Sequence, residues 1–362
     1  MPIRRSILLS ALLAAVLAGA CTLPGAGLAA SFLTGLGDEQ ASMFESPAYR
    51  QLGTRIARDI VPYDVADRPE DLAAFRLWYS GARAAGVAPL VAFYHSRVSP
   101  LRLPSVAGYR REIAKFMRMF PAITSYQPWN EANRGFVRGQ FKSPSAGTSA
   151  KYYLALKALC RHCQVVGLDV LDGASIKPTI SYIRQFQRAL AAAHKSQPTI
   201  WGLHNYSDTN RFRSSGTKAV LRAVKGQVWL TETGGIVQFD PSFANPAGRG
   251  LARAAKALRY MFALAASNPR IKRLYIFQWT GSTAGVRFDA GLIGPEGSPR
   301  SGYFVVCQHL LGAHSSRCTP AGLPVSPAPT PTPGSPYGTP VAAKVPTTLP
   351  GGLTGSAALL PS

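Results

Sequence analysis

Glu131 closes the run Gln127-Pro-Trp-Asn-Glu131, and Glu232 closes Trp229-Leu-Thr-Glu232, so each sets a lone carboxylate at the end of an apolar stretch. A partly dry pocket at such a place can shift the acidity of the group. Two carboxylates that flank a glycosidic bond supply what its hydrolysis needs: one protonates the leaving oxygen, and the other attacks the anomeric carbon or activates water. Taken singly, either glutamate reads equally well as half of a structural salt bridge. The pair becomes chemical only if the fold returns both to one opening.

Other residues are of types that would serve a sugar site. Arg58 lies in Arg58-Asp-Ile-Val-Pro-Tyr63, where it is either a partner for a buried carboxylate or a surface arginine of a basic chain. His204 and Tyr206, in Trp201-Gly-Leu-His204-Asn-Tyr206, are two apart and would share one face of a strand. Trp279, in Tyr275-Ile-Phe-Gln-Trp279, offers an aromatic face suited to the C–H surface of a pyranose, or else a core side chain. His95 follows Tyr94 at the end of an apolar run and would line the same cleft.

The elements that must position these side chains alternate between strand-like and helix-like from Ser31 to about Cys318. The strands are expected at Ser31 to Leu36, Thr54 to Pro62, Ala88 to Tyr94, Ile123 to Trp129, Gln164 to Leu171, Thr199 to Tyr206, Gln227 to Thr233 and Arg273 to Trp279. Helices are expected between them, and local signals mark their ends. Pro69-Glu70-Asp71 opens one with proline and acids in the first turn, Gly86 closes it, and Asn268-Pro269 stops the long helix before the last strand. Eight strand-helix units predict a closed (β/α)8 TIM barrel, whose functional side chains gather at the carboxyl ends of the strands. No glycine-rich phosphate fingerprint follows the first strand, which removes the usual support for nucleotide binding.

Placed on that frame, the residues resemble the clan A glycoside hydrolases, a superfamily of retaining barrel enzymes that includes families 5 and 39. In that clan an Asn-Glu pair ends strand four and a Glu ends strand seven, the positions of Asn130-Glu131 and Glu232. The resemblance implies that Glu131 is the general acid/base, that Glu232 is the nucleophile, and that Asn130 binds the sugar 2-hydroxyl. It also implies that Arg58 holds the nucleophile ionised, that the phenol of Tyr206 approaches it, and that Trp279 stacks under the reacting sugar. His204 and His95 complete the expected substrate-binding set. No metal or organic cofactor is expected.

The chain has 362 residues with 46% hydrophobic content, enough for one barrel of roughly 250 residues and its core. Residues 1–30 read as an export signal: Met1-Pro-Ile-Arg-Arg5, an apolar run from Ile7 to Leu17, then Ala18-Gly19-Ala20. Cys21 resembles a lipoprotein cysteine, with cleavage after Ala20, Ala29 or Ala30 as the plain alternative. Cys160, Cys163, Cys307 and Cys318 form an even set suited to an oxidising compartment, with the two local pairings the simplest of three. From 319 to 362 the sequence turns Pro/Thr/Ser/Gly-rich, as in Ser326-Pro-Ala-Pro-Thr-Pro-Thr-Pro333, and is expected to be a disordered tail.

The formal charge is +23, from 40 Lys plus Arg against 17 Asp plus Glu, spread along the chain and without a nucleic-acid fold signature. A secreted or envelope-associated protein of this kind would meet a poly- or oligosaccharide substrate and be drawn to anionic envelope polymers. No transmembrane span is expected in the mature chain. The rival to a retaining glycosidase is an inactive barrel that binds envelope polysaccharide, since fold and function separate readily.

Overall fold

The computed structural model describes residues 32–137, 140–239, 249–283 and 286–323. The segment read as an export signal, Cys21 and nearly all of the Pro-rich tail lie outside the described residues. No helix among the described residues is long and apolar enough to cross a membrane.

Strands rich in apolar residues on both faces need cover on both sides, and parallel pairing with helical crossovers provides it. The strands are β1 (Leu33–Gly37), β2 (Ile56–Pro62), β3 (Ala88–Tyr94), β4 (Ser125–Gln127), β5 in two segments (Gln164–Val165 and Asp169–Leu171), β6 (Ile200–His204), β7 (Gln227–Thr233) and β8 (Ile271–Phe277). Each pairs in parallel with its neighbour, and β1 also pairs β8, from Leu33 with Arg273 to Gly37 with Phe277. The first segment of β5 pairs β4 and the second pairs β6. Between them the Val166 N–H donates to Tyr126 O and the Gly167 N–H to Ile200 O, so the sheet closes into a (β/α)8 barrel.

Helices cover the outside: α1 (Pro47–Leu52), α2 (Pro69–Ala84), α3 (Val106–Met119), α4 (Ala146–Leu159), α5 (Lys177–Ala192), α6 (Tyr206–Asn210), α7 (Ser215–Ala223), α8 (Arg249–Ala266) and α9 (Ser301–Leu311). Ser105 and Ser145 cap α3 and α4 by accepting from the backbone N–H groups of Gly108 and Thr148. Phe75 and Trp78 of α2 pack with Phe116 of α3 and with Phe120, forming an aromatic layer between those helices. Disulfides join Cys160 to Cys163 and Cys307 to Cys318, the two local pairings.

Inside the barrel, Ile56, Leu90, Val166, Ile200, Trp229 and Tyr275 form a separate apolar plug. Residues two positions further along a strand face the same way, so Ile56 is followed by Arg58 and Trp229 by Thr231 in a polar layer above the plug. Gly202 leaves room for that layer, because a Cβ there would collide with the carboxylate of Asp169. β7 carries register shifts between Trp229 and Glu232 against β6 and between Leu230 and Thr233 against β8. An irregularity of that kind re-aims side chains. Thr231 accordingly donates to Asp169 while Glu232, the next residue, meets Arg58.

Candidate active site

Arg58 from within β2 and residues at the carboxyl ends of β4, β5, β6 and β7 converge on one buried ionic cluster. Arg58 donates through Nη1 to Glu232 Oε2 at 2.8 Å and through Nη2 to Asn130 Oδ1 at 2.6 Å, and its Nε reaches Gln127 Oε1 at 3.4 Å. The planar guanidinium can serve several acceptors at once, which a lysine cannot. Tyr206 donates its phenol to the other oxygen of Glu232 at 3.1 Å. Both oxygens of Glu232 are thereby oriented by neighbours that are themselves buried.

Glu131 is held from the other side. Its backbone adopts the left-handed conformation, φ 45°, at the turn after β4, and its N–H donates to Asp169 Oδ2 at 3.1 Å. Its Oε1 lies 3.0 Å from His204 Nδ1, and its Oε2 accepts from Arg134 Nη1 at 2.7 Å. His204 is wholly buried, with its Nε2 at 2.9 Å from Asp169 Oδ2. Oxygens of Glu131 and Glu232 and a ring nitrogen of His204 all lie within 4.8 Å of one another.

The electrostatics follow from these contacts. Burial alone would push the Glu131 carboxyl up, but the Arg134 guanidinium and the His204 imidazole bring it down to about 2. Burial likewise opposes charge on His204, yet Asp169 and Glu232 raise it to about 10. Asp169 is buried too, and His204 and Arg58 hold it below the usual carboxylate range. At neutral pH Glu131 is therefore ionised beside an imidazolium. Glu131, His204 and Glu232 have the spacing of a metal-ligand set. A doubly protonated imidazole has no lone pair to give, so the arrangement fits an ion-pair network better than a metal site.

Some expected residues stand elsewhere than the sequence implied. Tyr206 is not on the sixth strand; β6 ends at His204, and Tyr206 opens α6. The carboxylate of Asp172 causes the turn by accepting the N–H groups of Ser207 and Asp208 at 2.8 and 2.9 Å. His204, expected to touch substrate, is 0% exposed, and its ring meets Glu131, Glu232 and Asp169. Trp279 lies beyond β8, is 3% exposed, and packs edge-on against Tyr49 and Tyr303 within the core, so it has no open face for a sugar. The aromatic that ends β8 is Phe277, half-buried and stacked 6.3 Å from Phe288, which meets the ring of Tyr206.

His95 follows β3 directly, with its ring stacked on Phe141 at 5.2 Å. Burial lowers its pKa. The guanidinium of Arg134 sits 5.0 Å over the other partner in that stack, the Phe141 ring. Sequence reasoning passed over Asp169, Asp172 and Arg134. The alternation Asp169-Val-Leu171 at a strand end was the available signal for the first, and the spacing of three from Glu131 was the signal for Arg134.

No protein-family model and no curated protein matches the sequence. Solved structures do match. The native xylanase 10B from Thermotoga maritima is 10% identical over 78% of this chain and 95% of its own, with a TM-score of 0.57. A fungal β-1,4-galactanase is 11% identical over 76% of this chain and 98% of its own, with a TM-score of 0.56. A family 39 glycoside hydrolase from the gut symbiont Bacteroides cellulosilyticus WH2 is 15% identical over 77% of this chain, at a TM-score of 0.49; the chain spans 63% of that protein's length. At these identities the likeness is one of fold alone, the (β/α)8 barrel.

Proposed function

We propose that the chain is a retaining β-glycoside hydrolase acting on a poly- or oligosaccharide, with Glu232 as nucleophile and Glu131 as general acid/base. The observation that carries this reading is the separation of the two carboxylates. Oxygens of Glu131 and Glu232 lie within 4.8 Å of each other. That is in keeping with the about 5–5.5 Å of retaining pairs and short of the ≈ 6.5–9.5 Å across which inverting pairs hold a water.

The chemistry follows from the contacts. Glu232 attacks the anomeric carbon while Glu131 protonates the leaving oxygen; the glycosyl-enzyme ester then yields to a water that Glu131 deprotonates. Arg58 and Tyr206 fix the carboxylate of Glu232 in line for attack, and Asn130, tied to Arg58, presents its amide toward the sugar hydroxyl beside the reacting carbon. Phe277 and Phe288 next to Tyr206 provide the aromatic surface expected of Trp279. His95 lines the leaving-group side. Two disulfides and the leader-like first 30 residues support export, with the mature protein in the medium or at the cell envelope.

Purified wild type and Glu232→Ala should be compared on a panel of β-linked glycans, following the anomeric proton of the first product by NMR. Retained configuration from wild type and no turnover from the variant are expected. Equal rates from the two proteins would end the proposal.

A further inference from the structure

A carboxyl group that accepts hydrogen bonds from cationic donors at both oxygens has no proton to give. Glu131 is in that state: Oε1 meets His204 Nδ1, and Oε2 meets Arg134 Nη1 at 2.7 Å. His204 is wholly buried and fixed by Asp169, so it stays where it is. Arg134 differs. Its side chain is 29% exposed against 8% for Glu131, and it covers the acid from the solvent side. Its Nε is buried with no hydrogen-bond partner among the described residues, so the guanidinium has a donor to spare. Protonation of a leaving group therefore requires Arg134 to release Oε2, and the released guanidinium then needs another anion.

The distribution of charge says where that anion comes from. Of the 17 carboxylates only Glu45, Asp67, Glu70 and Glu296 are exposed and Glu39 is half-buried, with Asp240 outside the described residues; the rest are buried. Most of the described Lys and Arg side chains, Arg58 apart, share a surface almost bare of acids, which concentrates polyanions. A neutral sugar could displace Arg134 only by leaving a partly buried guanidinium without its counter-charge, whereas a carboxylate exchanges one charge-assisted contact for another.

We propose, resting on the glycosidase reading, that Arg134 caps Glu131 before substrate binds and is drawn off it by a carboxylate on the leaving-group sugar, so that the substrate is a uronate-bearing glycan. Arg134 is a positioning residue in this scheme: it touches the acid and the incoming carboxylate, not the reacting bond. With the cap withdrawn, Glu131 takes up a proton at Oε2 while Oε1 still accepts from His204. The charged and titratable groups around Glu131 are Arg134 beside it, Tyr94 from β3, Asp169 from β5, His204 from β6, Glu232 from β7 and Arg58 from β2. Among them Arg134 is the cation that a ligand can reach.

The test is a carboxyl-carbon NMR titration of full-length protein labelled at glutamate, between about pH 4 and pH 7, with Glu131→Gln used to assign the resonance. Glu131 should remain ionised across that range in wild type and titrate within it in Arg134→Gln, with Arg134→Lys in between. A β-1,4-linked tetraglucuronate should bring the titration into range in wild type, and neutral cellotetraose should not. Arg134→Gln should weaken tetraglucuronate binding about tenfold and leave cellotetraose binding unchanged. An identical Glu131 titration in wild type and Arg134→Gln, or equal effects of the two oligosaccharides, would overturn the inference. Turnover is read separately: a wild type no faster than Glu232→Ala defeats the glycosidase reading whatever the titration shows.

Discussion

Asp169 Oδ2 stands 2.9 Å from Nε2 of His204, and neither side chain has any exposed surface. The pair lies beneath both candidate catalytic glutamates: the opposite nitrogen of the imidazole reaches Glu131 at 3.0 Å and Glu232 at 3.7 Å. A buried imidazolium between carboxylates fixes their positions and their charge together. Removing its counter-charge should disturb both.

Asp169→Asn is expected to lower the pKa of His204 well below its present value of about 10, which imidazole proton NMR will read. It should also cost about 3–5 kcal/mol in denaturant unfolding, the usual penalty for leaving one partner of a buried pair uncompensated. An Asp169→Asn protein as stable as wild type, with His204 still protonated at pH 9, would show that the pair does not hold the site.

Glu131→Gln separates acid catalysis from nucleophilic attack. The amide cannot protonate a leaving oxygen, so glycans with alcohol leaving groups should lose about 10²–10⁴-fold in kcat/KM. A dinitrophenyl glycoside, whose leaving group departs without a proton, should lose far less in the glycosylation step measured as a pre-steady-state burst. Equal losses on both substrates would remove Glu131 from the acid role.

Much of the barrel was legible because parallel strands buried on both faces read as apolar runs between helix signals. β3 and β7 have the bounds read from the sequence. The break in β5 was not legible: Gly167 lies against Pro198, where a Cβ would clash, and that closeness depends on a residue distant in the chain. Tyr206 was misplaced for a similar reason, since Asp172 at the end of the adjacent strand β5 turns the backbone into α6. Glu131 and Glu232, read from the ends of apolar runs, and Asn130 and Arg58, read from the clan resemblance, come together in one buried cluster. Trp279 was read as a sugar platform on the same logic, but it follows the strand by two residues and turns into the core. Arg134 had no such mark among many arginines.

The disulfide between Cys307 and Cys318 closes a loop of sequence separation 11 and ties α9 to the short turn at Ser316–Cys318. Chain-entropy reasoning assigns such a loop about 3 kcal/mol. The double substitution Cys307→Ser with Cys318→Ser should therefore lower Tm by several degrees at that cost, yet leave kcat unchanged, because neither cysteine approaches the carboxylates. A loss of kcat at a temperature where circular dichroism shows native structure would contradict that separation of stability from chemistry.

The buried ionisable groups make stability depend on pH in one direction over most of the range. Burial raises Asp38 to about 6 and Asp172 from the usual 3.8 to about 8, while the carboxylates around it raise His204 from 6.5 to about 10 despite its burial. A group raised on folding stabilises fully below its unfolded value, and that contribution is lost as pH climbs through the folded value. Asp38 therefore loses its contribution between about 3.8 and 6, Asp172 between about 3.8 and 8, and His204 between about 6.5 and 10. Glu131, lowered to about 2, runs the other way: its contribution is complete above the usual 4.5 and is lost only as pH falls toward 2. Folding should accordingly take up protons at neutral pH, with Tm highest near pH 4, where Glu131 nears its full contribution and Asp38 and Asp172 begin to lose theirs, and falling steadily toward pH 9. Calorimetric scans across that range will check it, and Asp172→Asn should flatten the slope between pH 5 and 8 while leaving the fall above pH 8. A Tm that rises with pH would mean that these groups do not stay buried in the native state as the contacts describe.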